Sequence, residues 1–273
     1  MSELRSDVYT HIGPASAGAR KWVSATAVAD FGDAQAMAVS PSRRSAIWHA
    51  VGSALLTNRS GSAATMGLGV RYLNANWFAG QVTAAGALTD DTTDAQDEGT
   101  ADFPMHDRTD SGSGFLVSCT DRFNILGIIQ STAGDQVAPV RLVEYWNGTA
   151  WTDIEATLLI ADGLNPGAVN ERVLCWPMPL DWVVGGTGTG VSATRFNLRV
   201  RFTTGGAGTV NPQCSQMFVG FAVVLNELVG DAGQVNLARE HELRFPRSGR
   251  ALHPVFSVAS RNNLVEVDHR FYI

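Results

Sequence analysis

The stretch from Arg141 to Ile160, RLVEYWNGTAWTDIEATLLI, constrains the fold of this chain most strongly. Its Asn147-Gly148 pair stands between two runs rich in aromatic and β-branched residues, which is the strongest short-range signal for a β-hairpin. Glycine accepts the positive φ of a tight turn without steric cost, and asparagine accepts it more readily than most residues. A two-residue loop places Trp146 opposite Thr149, whereas a longer loop shifts every pair, so the faces of both strands stay open.

Three aromatic residues, Tyr145, Trp146 and Trp151, lie close to this turn. They fit two structures, which are a plug packed into the core and an exposed patch that stacks on a ligand. Aromatic side chains bury large apolar areas, so packing is the interpretation that we favour. The three residues are nevertheless candidate interaction residues, because the second structure would expose them.

Strand and turn signals recur at regular spacing between Gly114 and Leu228. The predicted strands are Phe115–Cys119, Phe123–Gln130, Val137–Trp146, Ala150–Ile160, Arg172–Trp176, Thr194–Thr203 and Met217–Leu225. Short strands separated by turns rich in glycine, asparagine and aspartate are typical of β-sandwiches and jelly rolls. The sequence therefore predicts an all-β fold, an antiparallel β-sandwich of jelly-roll type with extended N- and C-terminal arms.

The predicted domain organisation has three parts. Residues 1–65 form an N-terminal arm with short strands, residues 66–229 form the β-sandwich body, and residues 230–273 form a C-terminal arm that ends in a strand. Two strands, Met66–Leu73 and Trp77–Thr83, open the body and precede an acidic loop at residues 89–113. A loop of this length in a compact domain is usually functional or mobile.

The segment from Thr194 to Phe202 alternates apolar and polar residues with a period of two. One face carries Phe196, Leu198, Val200 and Phe202, and the other carries Arg195, Asn197, Arg199 and Arg201. This alternation predicts a half-buried strand with a strongly cationic outer face.

Composition argues against several classes of partner and location. The formal net charge is −6 and no basic cluster is longer than Arg43-Arg44, so we expect no nucleic-acid partner. The N-terminus has no apolar signal-peptide core, and no run approaches the roughly 18 apolar residues of a membrane span. The three cysteines, Cys119, Cys175 and Cys214, are widely spaced and odd in number, which predicts buried reduced thiols.

The sequence carries no recognisable catalytic motif. A nucleophile elbow, a zinc-binding HExxH and a phosphate-binding loop are absent, and Gly185–Gly190 is interpreted as a hairpin linker. The run DDTTDAQDEGTAD from Asp90 to Asp102 offers oxygen ligands suited to calcium, but it lacks EF-hand spacing, so a solvated loop is the favoured interpretation. We therefore predict no enzymatic activity, no catalytic or metal-binding residue and no cofactor.

Five segments resemble structural proteins of tailed-bacteriophage particles. In chain order they are LTDDTTDAQDEGTADFPM at 88–105, GFLVSCTDRFNILGI at 114–128, EYWNGTAWTDI at 144–154, PMPLDWV at 177–183 and RFNLRVRFTT at 195–204. Together they span roughly residues 75–225. They are similar to capsid decoration or cement proteins and to related head and tail surface proteins with β-sandwich bodies.

This resemblance implies a structural component of a virion that is made in the host cytoplasm. It points to a head decoration or cement protein that stabilises the capsid through oligomeric and shell contacts. The implied partners are the major capsid protein or other virion proteins, with neither nucleic acid nor membrane. The alternative is a tail or fibre component that binds a host carbohydrate or receptor through exposed aromatic residues.

The two chain ends predict a homo-oligomer. Residues 1–65 and 230–273 carry aromatic residues without a pattern that would bury them alone, and a soluble monomer rarely keeps such patches exposed. The terminal LVEVDHRFYI is suited to pairing with the sheet edge of a neighbour, which makes Phe271 and Tyr272 candidate interaction residues. The alternative is that both ends fold back on their own chain. The resemblance, together with the threefold positions of icosahedral shells, favours a trimer.

Overall fold

A computed structural model describes most of the chain. Its backbone is described for residues 4–5, 19–24, 37–38, 48–57, 64–72, 74–97, 99–135, 140–161, 171–203, 209–228, 234–236, 243–244, 249–256 and 263–272. Side chains are described for residues 72, 74–97, 99–135, 140–159, 173–203 and 209–221. Among these residues, no helix has the length and apolar character needed to cross a membrane.

The described part of the chain is built almost entirely of strands. These are β1 (Leu4–Arg5), β2 (Ala19–Ser24), β3 (Met37–Ala38), β4 (Trp48–Thr57), β5 (Ala64–Tyr72), β6 (Trp77–Val82), β7 (Leu88–Asp90), β8 (Phe103–Pro104), β9 (Gly114–Cys119), β10 (Ile125–Thr132), β11 (Arg141–Trp146), β12 (Trp151–Asp153), β13 (Ile160–Ala161), β14 (Glu171–Cys175), β15 (Phe196–Phe202), β16 (Gln213–Leu228), β17 (Gln234–Asn236), β18 (Leu243–Arg244), β19 (Gly249–Phe256) and β20 (Asn263–Tyr272). One short helix, α1 (Thr92–Gln96), and 3-10 turns at Asn74–Asn76 and Glu155–Thr157 complete them. The registered strand pairs are antiparallel, which confirms the predicted all-β antiparallel fold.

The chain divides into two compact units. Residues 1–73 and 220–273 form the first unit, and residues 74–219 form the second. The boundary between Val219 and Gly220 falls within β16. The division of the sequence into two arms and a body stays a prediction.

The first unit joins strands from the two ends of the chain. β20 pairs with β4 along one edge and with β1 and β2 along the other, while β17 and β18 pair with β4. β5 lies between β16 and β19, and β3 pairs with β19. The predicted terminal strand is therefore present as β20, but its edges pair within this chain, which leaves little room for a neighbour's strand.

The second unit is a sandwich of two sheets. The front sheet has the strand order β12-β11-β15-β9-β6-β7. The back sheet contains β13, β14, β10 and the start of β16, to which β8 is paired. Phe103 in β8 packs edge-on against Phe115 in β9, with ring centroids 6.1 Å apart, so the core lies between the two sheets.

The inner face of the front sheet is apolar because alternate residues of adjacent strands fall in register. Val143, Val200 and Phe115 lie side by side across β11, β15 and β9, and all three are fully buried. Burying a side chain of this size contributes about 1.5–3 kcal/mol. Intervening residues such as Glu144 and Arg199 fall on the opposite face, which we call the outer face.

The predicted strand Ala150–Ile160 is wrong in its length. β12 ends at Asp153, whose Oδ1 accepts a hydrogen bond of 2.8 Å from the N–H of Glu155. The Asp153 side chain thus starts the 3-10 turn that follows. It gives the N–H of Glu155 an acceptor in place of the one that a paired strand would provide. The chain then resumes as β13, which pairs with β14 in the back sheet.

Candidate functional site

The Asn147-Gly148 hairpin closes through a four-residue loop at 147–150, with Trp146 opposite Trp151. The two-residue register therefore does not occur. The side-chain oxygen of Asn147 accepts hydrogen bonds of 2.9 and 2.8 Å from the N–H groups two and three residues ahead, and Gly148 adopts a φ of +100°. The longer loop follows from the asparagine side chain, which satisfies N–H groups inside the turn.

Trp146 and Trp151 pack together on the outer face of the front sheet, with ring centroids 5.6 Å apart. Trp146 is only 8% exposed, so the packing interpretation is confirmed for this residue. Trp151 is half-buried, and the guanidinium of Arg199 lies 4.2 Å from its ring centroid. Its Nε1 donates a hydrogen bond of 3.2 Å to Oγ1 of Thr187, so this ring is also held by contacts within the protein.

Tyr145 points into the core rather than outward. It is 5% exposed, and its hydroxyl donates a 2.7 Å hydrogen bond to Oδ1 of Asp181. Burial and the Asp181 carboxylate raise the pKa of Tyr145. Phe271 and Tyr272, the other candidate interaction residues, belong to the backbone of β20, but their side chains lie outside the described residues.

The buried carboxylate of Glu144 forms ion pairs with two of the arginines that the alternating pattern predicts on the outer face. Glu144 accepts hydrogen bonds from Arg199 (2.7 and 3.2 Å) and from Arg201 (2.7 and 3.1 Å). Burial alone would raise the pKa of Glu144, but the hydrogen bonds and charges of the two arginines outweigh it and lower that pKa. The predicted cationic face is therefore partly neutralised within the sheet.

A glycine-rich segment, Gly185–Val191, which we call the strap, crosses the outer face of the front sheet. Thr187 in the strap accepts a hydrogen bond from Trp151 in the edge strand β12. At the other end of the sheet, the backbone oxygen of Thr189 accepts a 2.9 Å hydrogen bond from the N–H of Leu88 in β7. The strap connects β14 and β15, which lie in different sheets, so the predicted hairpin linker is wrong.

Asn197 bonds the first residue of the strap and the residue that directly follows it. Its Nδ2 donates hydrogen bonds to the backbone oxygens of Gly185 (2.7 Å) and Ser192 (2.8 Å), and Oγ of Ser118 donates to its Oδ1. Asn197 is fully buried, although it occupies a position that the alternating pattern predicts to face solvent. The sequence signal for this role is weak, since it is a single amide between two arginines.

The acidic segment is ordered by its own carboxylates. They accept backbone hydrogen bonds in the pairs Asp90–Thr92, Asp91–Gln81, Asp97–Gly99, Asp107–Thr109 and Asp110–Ala84. Within the described ranges, no group of three or more His, Cys, Asp or Glu residues is placed to hold a metal ion. Three of these carboxylates, those of Asp90, Asp97 and Asp107, bond the N–H two residues ahead and so cap local turns, whereas the other two bond more distant N–H groups.

The most nucleophilic side chains in the described ranges are sealed in the core. Cys119, Cys175 and Cys214 are free and fully buried, which confirms the predicted reduced thiols. Burial raises the pKa of Cys119 to about 11 and that of Cys175 to about 12, which leaves almost no reactive thiolate at neutral pH. Nδ1 of His106 lies 3.0 Å from Oγ of Ser113, but both residues are 1% exposed, so no substrate reaches this pair.

A cleft of about 460 Å³ opens on the outer face beside β6 and β7. Its lining includes Asn74, Phe78, Asp90, Gln96 and Arg195. The guanidinium of Arg195 lies 5.0 Å from the ring centroid of Phe78, and its Nη1 donates a 3.2 Å hydrogen bond to a backbone oxygen of the adjacent 3-10 turn. Sequence analysis did not identify this cleft.

The remaining walls of the cleft are also held in place by hydrogen bonds. Nε2 of Gln96 donates 2.8 Å hydrogen bonds to the backbone oxygens of Asn74 and Trp77. Oδ1 of Asp90 accepts a 3.0 Å hydrogen bond from the N–H of Thr92. The lining is thus largely preorganised before any ligand arrives.

An apolar rim, residues 180–184, projects from the second unit. Leu180 is 93% exposed, and Val183 and Val184 are more than a third exposed. The rim is anchored by Trp182, which is fully buried with its ring centroid 5.0 Å from that of Phe123. The Asp181–Tyr145 hydrogen bond and a 2.7 Å bond from Arg122 to the backbone oxygen of Trp182 hold the same segment.

Comparison with protein-family models finds no matching family, and comparison with curated proteins finds no matching relative.

Proposed function

We propose that this protein is a non-enzymatic structural component of a bacteriophage virion, placed on the head surface as a decoration or cement protein. The observation that carries this proposal is the apolar rim at residues 180–184. All but its last residue belong to one of the segments that resemble phage structural proteins, and it presents Leu180 almost completely to solvent. An exposed apolar side chain on a rigid support is the kind of group that anchors a protein contact.

The burial of the reactive side chains in the second unit supports a structural role over a catalytic one. The cysteines and the His106–Ser113 pair are buried beyond the reach of a substrate. Two of the aromatic residues that would serve a ligand-stacking tail protein, Tyr145 and Trp146, are buried as well. The alternative of a tail or fibre component requires exposed aromatic residues, so the burial of these two makes it the less supported proposal.

The proposed partners are the major capsid protein or other virion proteins, and further copies of this chain, with a trimer favoured. Because the edges of β20 pair within the chain, we place these contacts on side-chain surfaces such as the rim rather than on strand addition. The trimer rests on the resemblance and on the threefold positions of icosahedral shells.

A binding assay on phage particles that lack this protein tests the proposal. Purified Leu180→Asp is expected to co-sediment with such particles roughly tenfold more weakly than the wild type, because a charge would be driven into an apolar contact. Val140→Asp is the matched control, since Val140 is also exposed but lies away from the rim in the sequence. Both variants should melt at the wild-type temperature, and equal binding of Leu180→Asp and the wild type would contradict the assignment of the rim.

A further inference from the structure

The cleft beside Phe78 contains one negative and one positive side chain that do not pair with each other. Asp90 and Arg195 both line it, yet the ion pairs found among the described residues involve Glu144 and Glu155 instead. Asp90 bonds within its own turn, and Arg195 bonds a backbone oxygen and covers Phe78. The two charges of the cleft sum to zero, so neither an anion nor a cation is favoured by net charge.

The hydrogen-bonding groups of the lining select the kind of ligand. Oδ2 of Asp90, Oε1 of Gln96 and Oδ1 of Asn74 are acceptors without a partner in the described part of the chain. Nε and Nη2 of Arg195 are donors that likewise have no partner in the described part of the chain. A complementary ligand donates several hydrogen bonds, accepts at least one, and carries no net charge.

We propose that this cleft binds a neutral saccharide and accommodates one or two sugar rings of a glycan. Hydroxyl groups both donate and accept, which matches the mixture of acceptors with the Arg195 guanidinium. Phe78 and Leu88 add apolar side chains to the lining, which suits the C–H face of a sugar ring. The volume of about 460 Å³ falls in the range of small-molecule sites.

This site is separate from the Trp146–Trp151 pair that the hairpin pattern suggested for carbohydrate stacking. It is assembled from β6, β7, α1 and the segment just before β15. The strap borders it through Gly190, whose neighbour Thr189 is bonded to Leu88. The saccharide site does not depend on the proposed virion role, so each can fail without the other.

Saturation-transfer difference NMR on the full-length protein tests the proposal. The probes are glucose, galactose, mannose, N-acetylglucosamine and their disaccharides, with glycine and alanine as zwitterionic comparisons. Asp90→Asn keeps the Oδ1 acceptor of the turn to Thr92 and replaces only the second carboxylate oxygen. Asp94→Asn, four residues further along in α1 and outside the cleft lining, is the matched control.

We expect at least one saccharide of the panel to bind, with affinity weakened roughly tenfold or more in Asp90→Asn and unchanged in Asp94→Asn. Arg195→Lys should also weaken binding, since it keeps the charge but loses the planar fork of donors. Melting curves of the three variants should match the wild type. The proposal is overturned if no saccharide of the panel binds, if only the zwitterions bind, or if Asp90→Asn binds as tightly as the wild type.

Discussion

Asn197 holds the strap to the front sheet with a single amide. It donates to the backbone oxygens of Gly185, where the strap begins, and of Ser192, directly after its end, and no solvent reaches it. A buried amide in this position stabilises only while both oxygens are paired, because an unpaired buried carbonyl keeps its full desolvation cost. Asn197 therefore fixes the strap together with the hydrogen bonds that Trp151 and Leu88 donate to it.

Asn197→Ala is expected to lower the free energy of unfolding by about 1–3 kcal/mol, since it leaves buried carbonyl oxygens without a donor. Urea denaturation measures this change. Asn76→Ala is the control, because no hydrogen bond joins the Asn76 side chain to any described residue, and it should unfold within about 0.5 kcal/mol of the wild type. Equal midpoints for the two variants would show that Asn197 does not anchor the strap.

The two tryptophans of the hairpin differ in burial and should differ in cost. Trp146→Ala removes a nearly buried ring and is expected to destabilise the protein by about 3–5 kcal/mol, whereas Trp151→Ala should cost less because its ring is half-buried. Thermal or chemical unfolding checks the order. If Trp146→Ala melted like the wild type while losing a partner or glycan, Trp146 would be a recognition residue instead.

Asp135 ties two loops together in a pH-dependent way. Its carboxylate accepts hydrogen bonds from the N–H groups of Val210 (2.8 Å) and Thr209 (2.6 and 2.8 Å) and from the Thr209 hydroxyl (2.8 Å). These bonds lower the pKa of Asp135 to about 2 from an ordinary 3.8. Because the folded-state pKa is the lower one, the contribution to stability is present above pH 3.8 and is lost as pH falls toward 2.

The comparison that isolates this effect is between the wild type and Asp135→Asn, which has no carboxylate to titrate. The wild type should melt higher at pH 7, and the gap between the two should narrow between pH 3.8 and pH 2. Differential scanning calorimetry at several pH values measures it. A gap that stays constant over this window would mean that the carboxylate is not held by these bonds.

At the scale of elements, local patterns predicted most strands of the second unit but not the segments between them. β9, β11, β14 and β15 all fall within predicted strands or extend them by one residue, because alternation and turn residues are local signals. The strap and the break after β12 were missed. Each depends on a side-chain hydrogen bond, from Asn197 and to Asp153 respectively, that overrides the expected continuation of a hairpin or strand.

The strap also depends on glycine, most clearly at position 188. Gly188 has a φ of +131°, and a Cβ there would collide with the backbone oxygen of Gly86. Gly188→Ala is therefore expected to cost about 1–3 kcal/mol of stability and to change the fluorescence of Trp151, which the strap contacts through Thr187. Gly99→Ala, at an exposed glycine without a positive φ, is the control and should leave both properties unchanged. Wild-type stability and wild-type fluorescence in Gly188→Ala would contradict the path of the strap.

At the scale of the whole molecule, the fold class was predictable and the cleft was not. Arg195, which lines the cleft, bonds the backbone oxygen of Asn76 although the two residues lie 119 positions apart, and neither sits in a recognisable motif. The burial of Tyr145 and Trp146 also depended on the loop length of the hairpin, which the Asn-Gly signal alone left open. Local patterns thus define strands, whereas sites built from distant segments need the register of the sheets.

Quantitative mass spectrometry of purified phage particles tests the proposed virion role most directly. A head decoration protein occupies symmetric positions over the shell, so the account predicts copies on the order of hundreds per particle. A few dozen copies or fewer would identify a tail or fibre component instead. Complete absence of the protein from purified particles would contradict a structural role in the virion.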